Sequence, residues 1–225
     1  MSVFQYPKSK HTRALSPRMF KRYRSYKRYL QTEFSRACVY CRQPDSSAPN
    51  LNFGVDHYRP KGLPKFASLL NDYDNLYYCC GNCNSRKNDY WPTDESLGPY
   101  VINPCEHQMA SHLWLDAKTG RVDPKSPNGR CTEELLQLND EATVKYRLNT
   151  IVLVRMLERE IMQNKKQLKA LTKRVKVGML SAASCAQEIV SIEAAIASLV
   201  DIVGSQTGAL VLPPLPRKRN GLKLV

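Results

Sequence analysis

The chain has 225 residues, which fits one modest domain with an appendage or two small domains. Hydrophobic residues make up 42% and charged residues 24%, so we expect a packed globular core. The formal net charge of +14 favours a polyanionic partner, and no apolar run approaches the roughly 18 residues of a membrane span, so no contact with a membrane is expected.

The first residues and the cysteine usage bear on the compartment. Residues 1–13 are basic but contain no apolar segment of the signal-peptide type. We therefore expect a cytoplasmic protein. Eight cysteines in such a protein, four of them in paired Cys-x-x-Cys knuckles, indicate metal binding rather than disulfides.

The first 36 residues carry ten Lys and Arg against the single acid Glu33. Ser16-Pro17 predicts a helix start, because serine can cap free N–H groups and proline fits the first helical position. The apolar positions that follow at helical spacing, and should be buried, are Met19, Tyr23, Tyr26, Leu30, Phe34 and Ala37. The cations of the opposite face are Arg18, Lys21, Arg22 and Arg28. They form either a phosphate-binding surface or a solvated basic face.

Residues 38–89 are the most informative stretch of the chain. Short strands are predicted at residues 51–58 and 75–78, with a polar loop at 44–50 and a second loop at 59–74. A helix should begin near Gly81 and end by Trp91-Pro92, because a proline restricts the residue before it.

Residues 92–131 are rich in Pro, Gly and Asn, and we expect them to wrap around this stretch. Residues 101–104 and 112–115 are predicted as short strands, with a hairpin around residues 118–121. Thr132 is expected to cap a short helix that reaches Leu138, because glutamates occupy its first turn.

Two long helices are predicted to form an antiparallel hairpin. The first follows an Asn139 cap and ends near Val177; the second follows a Ser181 cap and ends at Gly204. The apolar positions are Tyr146, Leu153, Leu157, Ile161, Leu168, Leu171 and Val175 in the first helix, and Cys185, Ile189, Ile192, Ile196, Leu199 and Val203 in the second. The hairpin packs either on its own chain or on a partner subunit, since a regular heptad can also form an interface.

Two matched Cys-x-x-Cys pairs predict a tetrahedral zinc site. The ligands would be Cys38, Cys41, Cys80 and Cys83. Cys79 could replace Cys80, but the spacing to Cys83 favours Cys80. Zinc would staple distant segments and supply much of the folding free energy of a core with little apolar mass. A second metal near Cys105, His107 and His112 is a weaker alternative to ordinary packing of these residues.

Asp56-His57 is the candidate pair for metal binding and proton transfer in residues 38–89. A carboxylate is a hard ligand suited to Mg²⁺, and the neighbouring imidazole can accept a proton near neutral pH. Asn84 offers an amide oxygen at the start of the predicted helix. Most isolated His-Asp pairs are structural, but this one is enclosed between two cysteine knuckles.

The segment from Asp56-His57 through Asn75-Leu76 to Cys80-x-x-Cys83-Asn84-x-x-Lys87 resembles the HNH endonuclease (ββα-metal) signature in its four-cysteine zinc form. The resemblance covers under a quarter of the chain. It departs from many members in having Asn84 where they have His, which leaves the geometry and identity of the catalytic metal open.

The resemblance implies a mechanism. Asp56 and Asn84 would hold one divalent cation, Mg²⁺ or Mn²⁺, against the scissile phosphate of DNA. His57 would be the general base that deprotonates the attacking water, and Asn75 would tie down the loop that orients His57. Further phosphate contacts are expected from Arg59, Arg86 and Lys87, with surface ion pairing as their alternative role.

The patterns along the chain predict an α+β protein with four parts. They are a basic N-terminal helical segment (1–37), a core with wrapping loops (38–131), a helical hairpin (132–209) and an extended basic tail (210–225). The resemblance implies that the core is a small ββα-metal nuclease with structural zinc. Residues 53–91 and Asn103-Pro104 also resemble, more loosely, small bacterial HNH proteins of antiphage systems, some of which act with an ATPase partner. The alternatives are a nuclease subunit that is silent until a partner activates it, and a zinc-stabilised nucleic-acid-binding module without catalysis.

Overall fold

The structure is a computed structural model that describes residues 3–46, 52–94 and 96–209. Its helices and strands, in chain order, are α1 (Lys27–Glu33), β1 (Phe53–His57), β2 (Leu76–Cys80), α2 (Gly81–Lys87), β3 (Leu113–Leu115), β4 (Val122–Pro124), α3 (Pro127–Leu135), α4 (Glu141–Lys176) and α5 (Ala182–Thr207). Helices with short antiparallel strands confirm the α+β class. The loop at residues 47–50, Leu51 and the predicted basic tail at 210–225 lie outside the described residues.

The ββα unit is built from β1, β2 and α2. The two strands are antiparallel, with Phe53 opposite Cys80 and Asp56 opposite Tyr77. Both predicted strands are confirmed, and β2 extends to Cys80, so that α2 follows it without a loop. Every residue of β2 is buried. Gly81 is required at this junction, because a Cβ there would lie 2.9 Å from the backbone oxygen of Asn52.

The N-terminal helix begins later than the sequence predicts. Residues 11–20 form no helix, and α1 starts at Lys27 after a 3₁₀ turn at Tyr23–Tyr26. The cause is Glu33, whose carboxylate accepts hydrogen bonds from the backbone N–H groups of Ala14 at 2.7 Å and Leu15 at 3.0 Å. These bonds hold the segment away from a helical path. Met19, predicted on the buried face, is 94% exposed.

The rest of the predicted N-terminal face is confirmed. Tyr26, Leu30, Phe34 and Ala37 are buried, and Tyr23 is half-buried. The four cations predicted opposite them, Arg18, Lys21, Arg22 and Arg28, are all exposed.

The middle of the chain contains one confirmed hairpin and two corrections. Strands β3 and β4 pair antiparallel around the predicted turn. Residues 101–104 form no strand, because the Ile102 N–H donates to the Thr132 hydroxyl at 3.0 Å instead of to a neighbouring strand. Thr132 is therefore no helix cap: it lies buried inside α3, and Ser126 caps that helix by accepting from the Gly129 N–H at 3.0 Å.

The helical hairpin is confirmed, with changes at its caps. Asp140, not Asn139, caps α4 by accepting from the N–H groups of its first turn. The Asn139 amide instead bonds both backbone groups of Val122, each at 2.8 Å. Helix α5 continues through Gly204 and ends at Gly208, which adopts a left-handed φ of +75°.

The first half of α4 contributes to the core. Ile151 and Val154 are buried there beside Val3 and Phe4, while Leu153, predicted on the buried stripe, is 43% exposed. The remaining predicted positions of both helices are buried or half-buried. At the base of the hairpin, the Ser46 hydroxyl donates to the Ser205 carbonyl at 2.6 Å.

No helix in the described part of the chain combines the length and apolarity that crossing a bilayer requires.

The domain limits at residues 37, 131 and 209 stay predictions.

Candidate active site and metal centre

Four cysteines form a buried cluster. Their sulfurs lie within 4.8 Å of one another, with Sγ of Cys41 3.7 Å from Sγ of Cys80. Four thiolates at about 2.3 Å from a zinc ion stand roughly 3.8 Å apart, so the cluster fits zinc. The predicted set of Cys38, Cys41, Cys80 and Cys83 is thus brought together from two segments of the chain. Burial alone raises the pKa of Cys38, but hydrogen bonds from its neighbours, Cys41 first, lower that pKa well below the ordinary value.

Cys79 takes no place in this set. Its Sγ lies 3.9 Å from that of Cys38, but its thiol donates to the Cys80 carbonyl at 3.3 Å, and the four mutually close sulfurs are those of the other cysteines. Among the described residues, the cysteine cluster is also the one group with metal-ligand spacing. His107 and His112, weighed above for a second metal, contact Tyr100 at 3.0 Å and Ser126 at 2.6 Å instead.

Asp56 is fixed at the floor of a cleft of about 330 Å³ that His57 and Asn84 also line. Its Oδ2 accepts from the Tyr40 hydroxyl at 2.6 Å, and its Oδ1 lies 3.1 Å from the Lys87 ammonium. Both ionic side chains are almost fully buried. Because each carboxylate oxygen has a second lone pair, Asp56 can still bind a cation from the cleft.

The hydrogen bond of His57 determines which ring nitrogen can act as a base. Its Nε2 lies 2.9 Å from the backbone oxygen of Leu70. A carbonyl can only accept, so Nε2 carries the hydrogen and the lone pair of the neutral ring is on Nδ1. The edge of the Tyr23 ring packs on the imidazole, with the ring centroids 4.6 Å apart. Burial lowers the pKa of His57, so the ring is neutral at pH 7.

Asn75 connects the strand of His57 to the loop that bonds its ring. The Asn75 Oδ1 accepts from the Arg59 N–H at 2.8 Å. Its Nδ2 donates to the carbonyls of Arg59 at 3.1 Å and Leu69 at 3.4 Å. The second carbonyl precedes Leu70, so the amide holds the backbone whose oxygen orients His57.

Asn84 lies in the middle of α2 and lines the same cleft, half-buried. Its side-chain amide has no hydrogen-bond partner within residues 3–46, 52–94 and 96–209. One carboxylate and one amide oxygen form a hard donor set, of the kind that Mg²⁺ takes together with several waters. The residues present can therefore hold a divalent cation.

Two of the three expected phosphate contacts are engaged inside the protein. The Lys87 ammonium is 1% exposed, bonds Asp56 and donates to the His57 carbonyl at 2.7 Å. Arg86 donates to the carbonyls of Leu136 and Gln137 and pairs with Asp140, which anchors α2 to the start of α4. Neither side chain is placed to contact phosphate in the cleft.

Arg59 is half-buried, and its guanidinium lies 6.0 Å from the centroid of the Trp91 ring. A different cation, Lys61, lines the cleft and is exposed. Its ammonium lies 3.2 Å from the Tyr23 hydroxyl. Sequence reasoning missed Lys61 and the role of Tyr23 at this site. The position of Lys61, four residues after His57 in a Pro-Lys-Gly turn, was the available signal.

Comparison with known proteins supports the architecture just described. Residues 38–90 match the family model described as HNH endonuclease. No curated protein and no solved structure is significantly similar to the chain. The match spans both cysteine knuckles, both strands and α2. Residues 38–90 are therefore an HNH endonuclease domain, folded as a small ββα-metal core with a four-cysteine cluster.

Proposed function

We propose that this protein is a divalent-metal-dependent endonuclease that hydrolyses phosphodiester bonds in DNA. The observation that carries the proposal is His57: a neutral imidazole whose Nδ1 is the free base, in one cleft with Asp56 and Asn84. A module that only binds nucleic acid has no use for such a prepared base.

Each residue of the cleft has its own role in the proposed reaction. His57 Nδ1 accepts a proton from water, and the water oxygen attacks phosphorus as the bond from phosphorus to the 3′ oxygen breaks. The leaving oxygen takes up a proton, so the products carry 5′-phosphate and 3′-hydroxyl ends. A divalent cation held by Asp56 and Asn84 would stabilise the charge on the phosphate and on the leaving oxygen. Lys61 adds a positive charge beside the substrate phosphate.

The cysteine cluster has a separate, structural role in this proposal. Zinc bound there would fix the first knuckle to the junction of β2 and α2, and so hold Asn84 opposite Asp56. The sulfurs are buried, which keeps this ion away from the substrate.

The test is cleavage of supercoiled plasmid by the purified chain with Mg²⁺ or Mn²⁺. We expect nicking or linearisation by wild type and a loss of about 10²-fold or more in His57→Ala, the range for a missing general base. His107→Ala, a histidine outside the cleft, is the matched control and should cut like wild type. Metal analysis and circular dichroism must show zinc content and fold unchanged. Equal cutting by His57→Ala would refute the mechanism.

The substrate class is tested in the same assay, with linear duplex, single-stranded DNA and RNA. We expect duplex DNA to be cut fastest. Ligation of the products without prior phosphorylation would identify 5′-phosphate ends. A role in bacterial defence and activation by an ATPase partner stay predictions from the resemblance.

A further inference from the structure

A straight row of cations runs along α4, outside the site described above. Its positions alternate in spacing between four and three residues, which places side chains in one line on a helix. The cations are Arg155, Arg159, Lys166, Lys169, Lys173 and Lys176, with Met162 at the remaining position. At 1.5 Å per residue the row is about 32 Å long. We call these six cations the α4 row.

The α4 row is open to solvent and uncompensated. All six cations are exposed, and none forms an ion pair within the described residues. Neither nearby acid of α4, Glu158 or Glu160, stands at a position of the row. The other helix of the hairpin differs: the charged residues of α5 are Glu188, Glu193 and Asp201, all acidic. The positive charge is therefore concentrated on one helix rather than spread over the hairpin.

The packing of α4 favours a rod-shaped polyanion over a lipid surface. A helix that lies in a membrane interface presents a broad apolar face, rich in Trp, Phe and Leu, to the bilayer. Most of the apolar stripe of α4 is instead engaged by the core and by α5, and the exposed apolar side chains of the helix include no Trp or Phe: Val152, Leu153, Met156 and Met162. A rigid helix with a cation at nearly every turn matches a rigid duplex, which carries one negative charge per roughly 1.7 Å of its axis.

The base of α4 connects the row to the active cleft. The Gln43 amide donates to the Tyr146 hydroxyl at 3.0 Å, and Arg86 of α2 bonds carbonyls that immediately precede α4. The row begins nine residues after Tyr146, about 13 Å along the helix. The cleft and the α4 row are therefore connected by hydrogen-bonded elements of the same chain.

We propose that the α4 row is a second contact surface for duplex DNA, which binds the phosphate backbone beyond the cleft. The choice of polyanion rests on the proposed nuclease function. Apart from Met162, the row itself consists of cations, whose contacts with phosphate oxygens carry no sequence information, so it contributes affinity rather than sequence preference. It makes affinity depend on duplex length, because a short duplex reaches only the cleft or only the row.

The test measures DNA binding without cleavage, by fluorescence anisotropy of 40-base-pair and 10-base-pair duplexes at 50–200 mM salt. The buffer contains no added divalent cation and no chelator, because a chelator would also remove the structural zinc. All proteins carry His57→Ala. The row variant is Arg155→Gln, Arg159→Gln, Lys166→Gln and Lys173→Gln, since glutamine keeps helix propensity. The matched control removes four exposed cations around the β3–β4 hairpin and α3: Lys118→Gln, Arg121→Gln, Lys125→Gln and Arg130→Gln.

The row variant should bind the 40-base-pair duplex about 10²-fold more weakly at 100 mM salt, and its slope of log affinity against log salt should fall by up to roughly 3.6. Because the 10-base-pair duplex reaches only the cleft or only the row, the affinity advantage of the 40-base-pair duplex over it should shrink in the row variant. The control variant should keep that advantage and stay within about twofold of the parent. An equal loss in both variants, or an unchanged salt slope, would overturn the proposal. The proposal would also be overturned if the row variant lost binding to phosphatidylserine vesicles but kept its binding to duplex DNA.

The outcome is independent of catalysis. A wild-type chain that cuts no substrate would refute the proposed nuclease function, while the binding difference between the two four-charge variants would still decide the role of the row.

Discussion

The cysteine cluster and the cleft of Asp56 and His57 share helix α2 but satisfy their polar groups in opposite ways. The cluster is closed: its sulfurs are buried and face one another. The cleft is open: His57 Nδ1 and the Asn84 amide are left without partners among the described residues, and only the supporting atoms are bonded. Under the proposed function, the closed cluster would maintain the fold, whereas the unpaired groups of the cleft would bind the substrate and a cation.

The largest expected effect is loss of a cluster cysteine. Cys80→Ala should release zinc and unfold the core, because structural zinc contributes about 10–16 kcal/mol in small zinc domains and whole domains are stable by only about 5–15 kcal/mol. Cys79→Ala changes the neighbouring cysteine, which is outside the set, and should keep zinc. Metal content and circular dichroism check both variants. A zinc-free Cys80→Ala protein with a native spectrum would contradict the structural role.

A smaller loss of stability is expected from substitution of Lys87, which lies on α2 between the cysteine cluster and the cleft. Lys87→Met leaves the buried Asp56 carboxylate without its cation and should lower the free energy of unfolding by about 3–5 kcal/mol. Zinc should stay bound, since no sulfur is touched. Urea denaturation measures the change.

The double variant Asp56→Asn with Lys87→Met sharpens this test. Removing both charges should recover part of the lost stability, because no unpaired ion remains buried. A double variant no more stable than Lys87→Met would show that the pair does not account for the loss.

The smallest expected effect is on the cleavage rate, through Lys61 at the exposed side of the cleft. Lys61→Gln should slow plasmid cleavage by about tenfold, which corresponds to about 1.4 kcal/mol of lost charge stabilisation. Stability should be unchanged, because the ammonium is exposed. The same substitution at Lys118, on the surface of the β3–β4 turn, is the control. Cleavage by Lys61→Gln at the wild-type rate would remove Lys61 from the site.

The parts of this molecule that local sequence determines were predictable. The cysteine set follows from Cys-x-x-Cys spacing, and β1 and β2 follow from short apolar runs. The start of α2 was predicted at Gly81, but the helix ends at Lys87, before Pro92 can limit it. The antiparallel hairpin follows from heptad spacing.

The parts that depend on distant partners were not predictable. Residues 14 and 15 leave a helical path because Glu33, about 20 positions away, accepts their N–H groups. Thr132 is diverted from capping by the backbone of Ile102. Lys87 has the sequence context of a surface cation, and only the fold places it beside Asp56. No local pattern encodes such contacts.

Within two turns, helix α2 carries Cys83 of the cysteine cluster, Asn84 of the cleft and Lys87, which pairs with Asp56. Each residue added or removed ahead of them would rotate the rest of the helix by about 100° and shift it by 1.5 Å. The sulfur, the amide and the ammonium would then be displaced together. Substitutions in α2 can be compensated one at a time, but a change of length cannot. We therefore expect insertions and deletions in descendants of this gene to fall outside residues 80–87, and the spacing from Cys80 to Lys87 to be inherited as a unit.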